Sequence, residues 1–414
     1  MLSIYRLITY LVLLLSPIII LFRIFKNKEH PIRFLEKFSL NKIEKKIGKT
    51  IWFHGSSVGE ILSSIPVIEK LEKKKNIKQI LLTSNTLSSS KIIKKFKLKK
   101  TVHQFFPLDI NFITLNFLNY WKPNLVIFLE SEIWPNMLIN INKKKIPLIL
   151  LNGRITKKSF KNWLVVKSIS KKIFGYFDLC LAQNNETIKY LKDLGAKKIK
   201  VPGNLKFSES SIKIPNKISK TQERFLSKKN IIFCAVSTHP SEEIFCANLF
   251  KKLRKNKNSI IIIIPRHIDR SQEIKDELES LNLKVHLHSN KEKINSNTNV
   301  YLVNSYGETK FFLKYSKIVF MGGSLIPHGG QNPIEAARIG CKVLHGPYIS
   351  NFKDVYSLLK KNKITKKIDT LKNAEKIFNN QIKEKNFNKK IAKKLKNLGS
   401  AILRKNLGEI EKQI

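Results

Sequence analysis

Continuous apolar runs recur along the chain, separated by stretches with helical spacing. They predict strands over 51–54, 79–84, 102–106, 125–130, 148–152, 179–183 and 199–201. After a polar interval they resume over 231–236, 260–265, 300–303, 318–321 and 343–345. Most are unbroken rather than alternating, as expected for strands covered on both faces in a parallel sheet. The segments between them are amphipathic; over 60–71, Ile61, Ile65, Ile68 and Leu71 share one helical face. The interval 208–230, SESSIKIPNKISKTQERFLSKKN, is polar, Lys- and Ser-rich and contains Pro215, so it reads as a connection between domains. The tail from Asp354 onward is helical and Lys-rich. The pattern therefore predicts an α/β protein of two doubly wound domains, 29–207 and 231–414, joined by 208–230. Parallel sheets bind ligands at the carboxyl ends of their strands, and with two of them the expected site is a cleft that both sheets face.

The N-terminal run is of another kind. LITYLVLLLSPIIILF, Leu7 to Phe22, carries no charge; Arg6 precedes it, and Arg23, Lys26 and Lys28 follow. A bilayer span takes about 20 apolar residues, and the flanking arginines can extend this one by snorkelling. No A-x-A-like site follows it, which argues against a cleaved signal peptide. Residues 1–28 are thus expected to be a single membrane anchor, and the basic cluster after the run places the body on the cytoplasmic side. Whether the segment spans the membrane or lies in it is left open by the sequence.

Length and composition fit this picture. The chain has 414 residues, 42% hydrophobic and 26% charged, enough for two cores. The formal net charge of +48 favours anionic partners such as a phosphorylated substrate or anionic lipid. Part of that excess follows from Lys-, Asn- and Ile-rich usage throughout. No nucleic-acid-binding motif accompanies it, so a nucleic acid partner is not expected. Cys180, Cys234, Cys246 and Cys341 form no C-x-x-C pair, and three lie in or beside apolar runs; this predicts buried free thiols rather than a zinc site.

Several familiar phosphate and metal signatures are missing: the Walker loop, G-x-G-x-x-G after the first strand, H-E-x-x-H, and a D-x-D pair. No metal and no cofactor are expected. Four strand ends carry candidate chemistry instead. After the first strand, HGSSVGE puts small residues before a helix that Glu60 opens. That position suits a helix-capping carboxylate and a general base alike. The helix dipole there is expected to lower its pKa. LESEIWPN ends the fourth strand, and if strand geometry persists Glu130 and Glu132 share a face. Lys206 follows Asn204 at a further strand end. Pro265, Arg266 and His267 end the strongly apolar IIIIIPRH run, where a guanidinium can clamp a phosphate.

The segment FMGGSLIPHGGQNPIEAARIG, from Phe320, is the richest. Asn332 as N-cap, Pro333 at the first helical position and Glu335 at the third make a helix start with no function attached. The glycine pairs Gly322-Gly323 and Gly329-Gly330 ask for a close backbone approach, and a nucleotide phosphate before the helix is the expected occupant.

Together these stretches resemble the bacterial 3-deoxy-D-manno-oct-2-ulosonic acid (Kdo) transferases that act on lipid A precursors. HGSSVGE, LESEIWPN, LNGRITKKS, GAKKIKVPGNLKF, AVSTHPSEE, IIPRH, GETKFFLKYSKIVFMGGS and GGQNPIEAARIG occur in order from His54 to about Asp354. The resemblance implies a GT-B fold of two Rossmann-like domains, with CMP-Kdo as donor and a phosphorylated lipid A precursor, lipid IV(A), as acceptor at an anionic inner-membrane surface. It implies an inverting transfer with Glu60 as general base, assisted in the transition state by Glu130 and Lys206. It also implies that Pro265, Arg266, His267, Tyr306, Gly307, Glu308, Gly322, Gly323, Asn332, Pro333, Ile334 and Glu335 hold CMP. The chain departs from the family pattern at LTSNTLSSS, at Tyr306 where Met is expected, and at His328 where Arg is common. A GT-B enzyme using a UDP-sugar, a nucleotide-sugar epimerase, and a non-catalytic basic surface protein are the alternatives. The number of Kdo residues transferred is not legible.

Overall fold

Burial on both faces organises the chain into two seven-stranded, wholly parallel sheets in the computed structural model, which describes residues 2–40, 43–208, 210, 219–229, 231–253, 258–288, 294–382 and 387–414. The first comprises β1 (Lys49–His54), β2 (Ile77–Ser84), β3 (Thr101–Phe105), β4 (Leu125–Leu129), β5 (Leu148–Gly153), β6 (Leu179–Ala182) and β7 (Ile199–Lys200), in the spatial order β3-β2-β1-β4-β5-β6-β7. The second comprises β8 (Ile231–Thr238), β9 (Ser259–Pro265), β10 (Val285–Leu287), β11 (Val300–Leu302), β12 (Ile318–Met321), β13 (Lys342–His345) and β14 (Thr365–Lys367), ordered β10-β11-β9-β8-β12-β13-β14. Each order reverses beside its first strand. The switch points lie between β1 and β4 and between β8 and β12, where open α/β sheets hold their ligands.

The unbroken apolar runs have the predicted cause. Every residue of β9, including the five isoleucines 260–264, is buried, and each fully buried Ile contributes roughly 1.5–3 kcal/mol. Trp52, fully buried on β1, satisfies its indole N–H on Thr83 Oγ1 at 2.9 Å, so its bulk is buried without an orphan donor. All twelve predicted strands occur, with ends shifted by a residue or two. The two strands not predicted, β10 and β14, are the outer strands of the second sheet. An outer strand needs no two-sided apolar run, and Thr365–Lys367 has none.

The chain divides into two compact units, Met1–Ile214 with Leu398–Ile414, and Pro215–Asn397. This corrects the assignment of the whole tail to the second domain. The end of the helix Phe387–Glu411 belongs to the first unit: Ser208 Oγ donates to Gly399 O at 3.0 Å, and Lys200 pairs with Glu409 at 2.7 Å. A Cβ on Gly399 would sit 2.1 Å from Phe207 O, so glycine is needed for this approach. The predicted connection 208–230 lies largely outside the described residues; its described part contains a helix, Lys220–Ser227, with Ser219 and Gln222 forming a capping box.

The four cysteines are free and buried. The N-terminal helix, Leu2–Phe25, is long and apolar enough to cross a membrane, with a mean hydropathy of 2.4 in its most apolar window.

Candidate active site

At the first switch point, β1 ends at His54 and the chain turns through Gly55-Ser56-Ser57 into the helix Val58–Glu72. Ser57 is the N-cap and Glu60 the third helical residue, in a complete capping box: Glu60 N donates to Ser57 Oγ at 3.3 Å, and Ser57 N to Glu60 Oε2 at 3.4 Å. Ser56 N gives Glu60 Oε2 a shorter bond, 2.7 Å, and Ser57 Oγ donates to Oε1 at 2.8 Å. A Cβ on Gly55 would lie 2.7 Å from Leu129 Cδ1 and 3.2 Å from Glu60 Cβ, so this glycine lets the β4 end and Glu60 close in together.

Across the switch point, β4 stops at Leu129. Glu130 has φ +51°, and the chain leaves strand geometry there. The expectation that Glu130 and Glu132 share a strand face is corrected for this reason: each carboxylate finds its own partners. Glu130 pairs with Lys206 at 2.5 Å. Glu132 accepts from His54 Nε2 at 3.1 Å, Ser56 Oγ at 2.6 Å and Trp134 Nε1 at 2.8 Å. The His54 ring is fully buried and stacked on Phe106, with ring centroids 3.7 Å apart. Its Nδ1 lies 3.0 Å from Thr83 Oγ1, which gives its own proton to Phe53 O. Both ring nitrogens are therefore held, Nε2 by Glu132 and Nδ1 by Thr83.

These contacts set the electrostatics. Burial and then the charge of Glu132 push the Glu60 carboxyl up to about 7; Glu130 adds to this, while hydrogen bonds from Ser57 and Ser56 oppose it. The expected lowering by the helix dipole is thus overturned, because desolvation and two neighbouring carboxylates outweigh it. Glu132 goes the other way. Burial raises it, but the hydrogen bond and charge of His54, with Ser56 and Trp134, hold it below its usual range.

Lys206 is placed by a relay of amides that the sequence reading missed. Asn152, at φ +57°, accepts from Leu205 N through Oδ1 at 2.9 Å. Gln183 Nε2 donates to Asn152 O at 2.9 Å, Asn204 Nδ2 to Gln183 Oε1 at 3.0 Å, and Lys206 N to Asn204 Oδ1 at 2.9 Å. His54, Ser56 and Asn85, whose Nδ2 donates to Ser56 Oγ at 2.7 Å, were also missed as members of the site. The only signal for them was their position at the end of β1 or just beyond β1 and β2.

At the second switch point the strand ends bring basic side chains together. His239 follows β8, Arg266 and His267 follow β9, and His328 comes from the loop after β12. The His239 ring lies 4.2 Å from that of His328 and 5.9 Å from that of His267. Burial, followed by the charges of His328, His267, Arg266 and Arg270, drives His239 down to about 4. Its Nε2 lies 3.2 Å from Gln331 Nε2, a donor, which fits a neutral ring. Arg266, His267 and His328 remain exposed. A neutral imidazole backed by the exposed Arg266 guanidinium and two further imidazoles at strand ends suits an anionic ligand.

The glycines here serve the protein's own chain. A Cβ on Gly322 would be 2.2 Å from Ser237 O. Gly323 N, Ser324 N and Leu325 N donate to the Glu242 carboxylate at 2.6, 2.9 and 2.9 Å, and His239 N joins them at 3.0 Å. Glu242, buried in the helix Glu242–Leu253, is the anion that fills the first glycine turn, so a phosphate is not what those N–H groups bind. Gly330 N donates to Gly323 O at 2.6 Å, and a Cβ on Gly329 would meet Asn351.

The following helix runs Ile334–Ile339. Pro333 is its cap rather than its first residue, and Glu335 is second rather than third. Asn332 Oδ1 still accepts from Ile334 N at 3.1 Å. Pro333 and Ile334 are buried, while Asn332 and Glu335 are exposed beside Gln331. The Tyr306-Gly307-Glu308 turn follows β11. Tyr306 is 70% exposed, Gly307 adopts φ +92° with open space beside it, and Glu308 is held by Ser305 and by His288 at 2.7 Å. Pro265 is the buried last residue of β9.

Comparison with known proteins gives the chain's relatives. The family model described as "3-Deoxy-D-manno-octulosonic-acid transferase (kdotransferase)" matches residues 32–209. A 3-deoxy-D-manno-octulosonic acid transferase of Rickettsia bellii is 31% identical over 92% of this chain and 90% of its own. A probable mitochondrial 3-deoxy-D-manno-octulosonic acid transferase of Arabidopsis thaliana is 32% identical over 84% and 80%. Among solved structures, a UDP-GlcNAc 2-epimerase from Neisseria meningitidis aligns with a TM-score of 0.60 at 14% identity, covering 87% of this chain and all of that one. That likeness shows the GT-B type of fold.

Proposed function

Since this chain belongs to the 3-deoxy-D-manno-octulosonic acid (Kdo) transferase family, we propose that it moves Kdo from CMP-Kdo to lipid IV(A), a phosphorylated lipid A precursor, by an inverting displacement with Glu60 as base. Kdo transfer in lipopolysaccharide biosynthesis comes with the family. The donor, acceptor, stereochemistry and residue roles are our reading of the two strand-end sites.

In this reading an acceptor hydroxyl attacks the anomeric carbon of Kdo. The new C–O bond forms as the bond to the CMP phosphate oxygen breaks, and the hydroxyl proton passes to Glu60. One observation carries the assignment. Glu60 is a partly exposed carboxyl at a sheet switch point, tuned to about 7 by burial and by Glu132 and Glu130. A base with a pKa near the working pH is the most effective kind, contributing typically about 10²–10⁴-fold. The Lys206–Glu130 pair beside it presents one cation and one carboxylate to an oxocarbenium-like transition state. Arg266, His267 and His328 meet the departing CMP anion. Tyr306, Gly307 and the Asn332–Glu335 turn line the nucleoside end. A body on the cytoplasmic side of an inner membrane, held by the N-terminal helix and basic surface, puts the enzyme beside its acceptor; each surface lysine contributes about 1 kcal/mol at an anionic leaflet.

The test is mass spectrometry of the lipid formed from lipid IV(A) and CMP-Kdo. The expected product is the acceptor plus one or more Kdo residues, lost in Glu60→Gln. No product from CMP-Kdo, together with a thermal shift caused by UDP but not CMP, would point to a UDP-sugar transferase instead. Conversion of a nucleotide sugar without acceptor would point to an epimerase.

A further inference from the structure

The N-terminal helix Leu2–Phe25 divides along its whole length into two stripes. Leu2, Tyr5, Arg6, Thr9, Leu13, Ser16, Ile20, Arg23 and Ile24 are buried or half-buried at spacings of three and four. That pattern means one continuous helical face is covered by protein. Leu7, Leu11, Leu14, Ile18, Leu21 and Phe25 form the opposite stripe and are 53–84% exposed.

Both ends of the helix are tied to the first unit, at neighbouring residues. Near the N-terminal end, Tyr5 OH donates to Asp109 Oδ2 at 2.7 Å and Arg6 Nε to Asn136 Oδ1 at 3.2 Å. Asp109 is itself buried, and it caps the helix Pro135–Lys143 through Asn136 N at 3.0 Å and Met137 N at 2.8 Å. At the other end, Arg23 pairs with buried Glu29 at 3.2 Å, Glu29 pairs with Lys37, and Lys37 O accepts from Leu108 N at 2.8 Å. Leu108 and Asp109 are adjacent.

Tyr5 and Arg23 lie about 27 Å apart along the helix, close to the roughly 30 Å of a bilayer's hydrocarbon core. A spanning helix would put Tyr5 on the far side of that core, away from Asp109. It would leave a capping carboxylate and two polar helix side chains without these hydrogen-bond partners.

We infer that Leu2–Phe25 does not cross the bilayer but lies in the plane of its surface, strapped along the first unit with the N-terminus on the same side as the body. The exposed stripe enters the acyl boundary of an anionic leaflet, as in-plane amphipathic helices do. The usual charged face is replaced by the covered stripe. Charge complementarity supports the occupant: Arg23, Lys26 and Lys28 cluster at the end of the apolar stripe, with Lys26 Nζ 4.3 Å from the Phe22 ring, on a chain of net charge +48. This deepens the membrane part of the proposed function.

The test uses full-length chain in a bacterial host, carrying Ser3→Cys or Lys75→Cys, both at exposed positions. The native thiols are buried and give little background. A membrane-impermeant maleimide should label both variants in inverted vesicles and neither in right-side-out ones. Labelling of Ser3→Cys only in right-side-out vesicles would overturn the inference. In the same chain, Leu14→Glu with Ile18→Glu should weaken flotation with phosphatidylethanolamine–phosphatidylglycerol vesicles by about tenfold or more. Unchanged flotation would overturn the assignment of that stripe to the membrane. Failure of Kdo transfer alone moves neither readout, so the two readings fail separately.

Discussion

Glu60 and Glu132 are bridged by one residue: Ser56 N donates to Glu60 Oε2 at 2.7 Å and Ser56 Oγ to Glu132 Oε2 at 2.6 Å. The two carboxylates are thereby held close enough to oppose each other's ionisation. His54 and Trp134 take the charge of Glu132, and Glu60 is left to titrate near neutrality. Capping and the proposed base chemistry do not compete at Glu60, since one arrangement serves both.

Glu60→Gln separates the two roles. Glutamine is also favoured at the third position of a capping box, so the thermal midpoint should change little. The turnover number should fall by about 10²-fold or more. Steady-state kinetics beside a melting curve checks this; a melt that collapses together with activity would favour capping alone.

The pH dependence follows from the raised carboxyl. With Glu60 in the proposed role of base it must be ionised, so kcat should fall as pH drops through about 7. Glu132→Gln removes the opposing charge and should move that acid limb to lower pH. A pH–rate profile of both proteins reads the shift, and an unmoved limb would sink the electrostatic account.

Stability should run in the opposite sense. The folded-state pKa of Glu60 is above its usual value of 4.5, so the folded protein holds this proton more tightly than the unfolded chain. That contribution is full below about pH 4.5 and is lost as pH rises through about 7. Denaturant melts across this window should show a decline in wild type that Glu60→Gln flattens.

Lys206 and Glu130 are mostly buried, so removing one partner leaves an uncompensated charge. Lys206→Met should cost on the order of 3 kcal/mol, while Lys206→Met with Glu130→Gln should recover most of that stability. Activity should stay low in both if the pair acts on the transition state. Recovery of activity with stability would reduce the pair to a structural one.

Glu242→Ala removes the acceptor of four backbone N–H groups. Each hydrogen bond to a charged acceptor contributes about 1.5–3 kcal/mol, so the variant should be strongly destabilised. Glu242→Gln, which keeps the shape, should fold and bind donor more weakly. Calorimetric titration with CMP measures this, and unaltered affinity in a folded Glu242→Gln would exclude the glycine turn from donor binding.

Alternation of apolar runs with amphipathic stretches determined the two parallel sheets, because a strand buried on both faces carries that requirement in its own residues. The same local logic made Glu60 recognisable as part of a helix start, but it opened the helix at Glu60 rather than at Val58 with Ser57 as its cap. It located the strand ends where His54, Glu130, Arg266 and Gly322 emerge. What lies across space was decided only by tertiary structure. Glu132 turns to His54 rather than lining up with Glu130, because Glu130 takes a positive φ that no local rule demanded. Glu242 fills a turn some eighty residues away that reads as a phosphate loop in sequence. The last helix returns to the first unit, since an apolar stripe does not say which domain it will cover. The pKa of Glu60 is the clearest case. Its sign depends on burial and on two carboxylates brought in by another strand, and these exceed the local dipole that the sequence alone supplies.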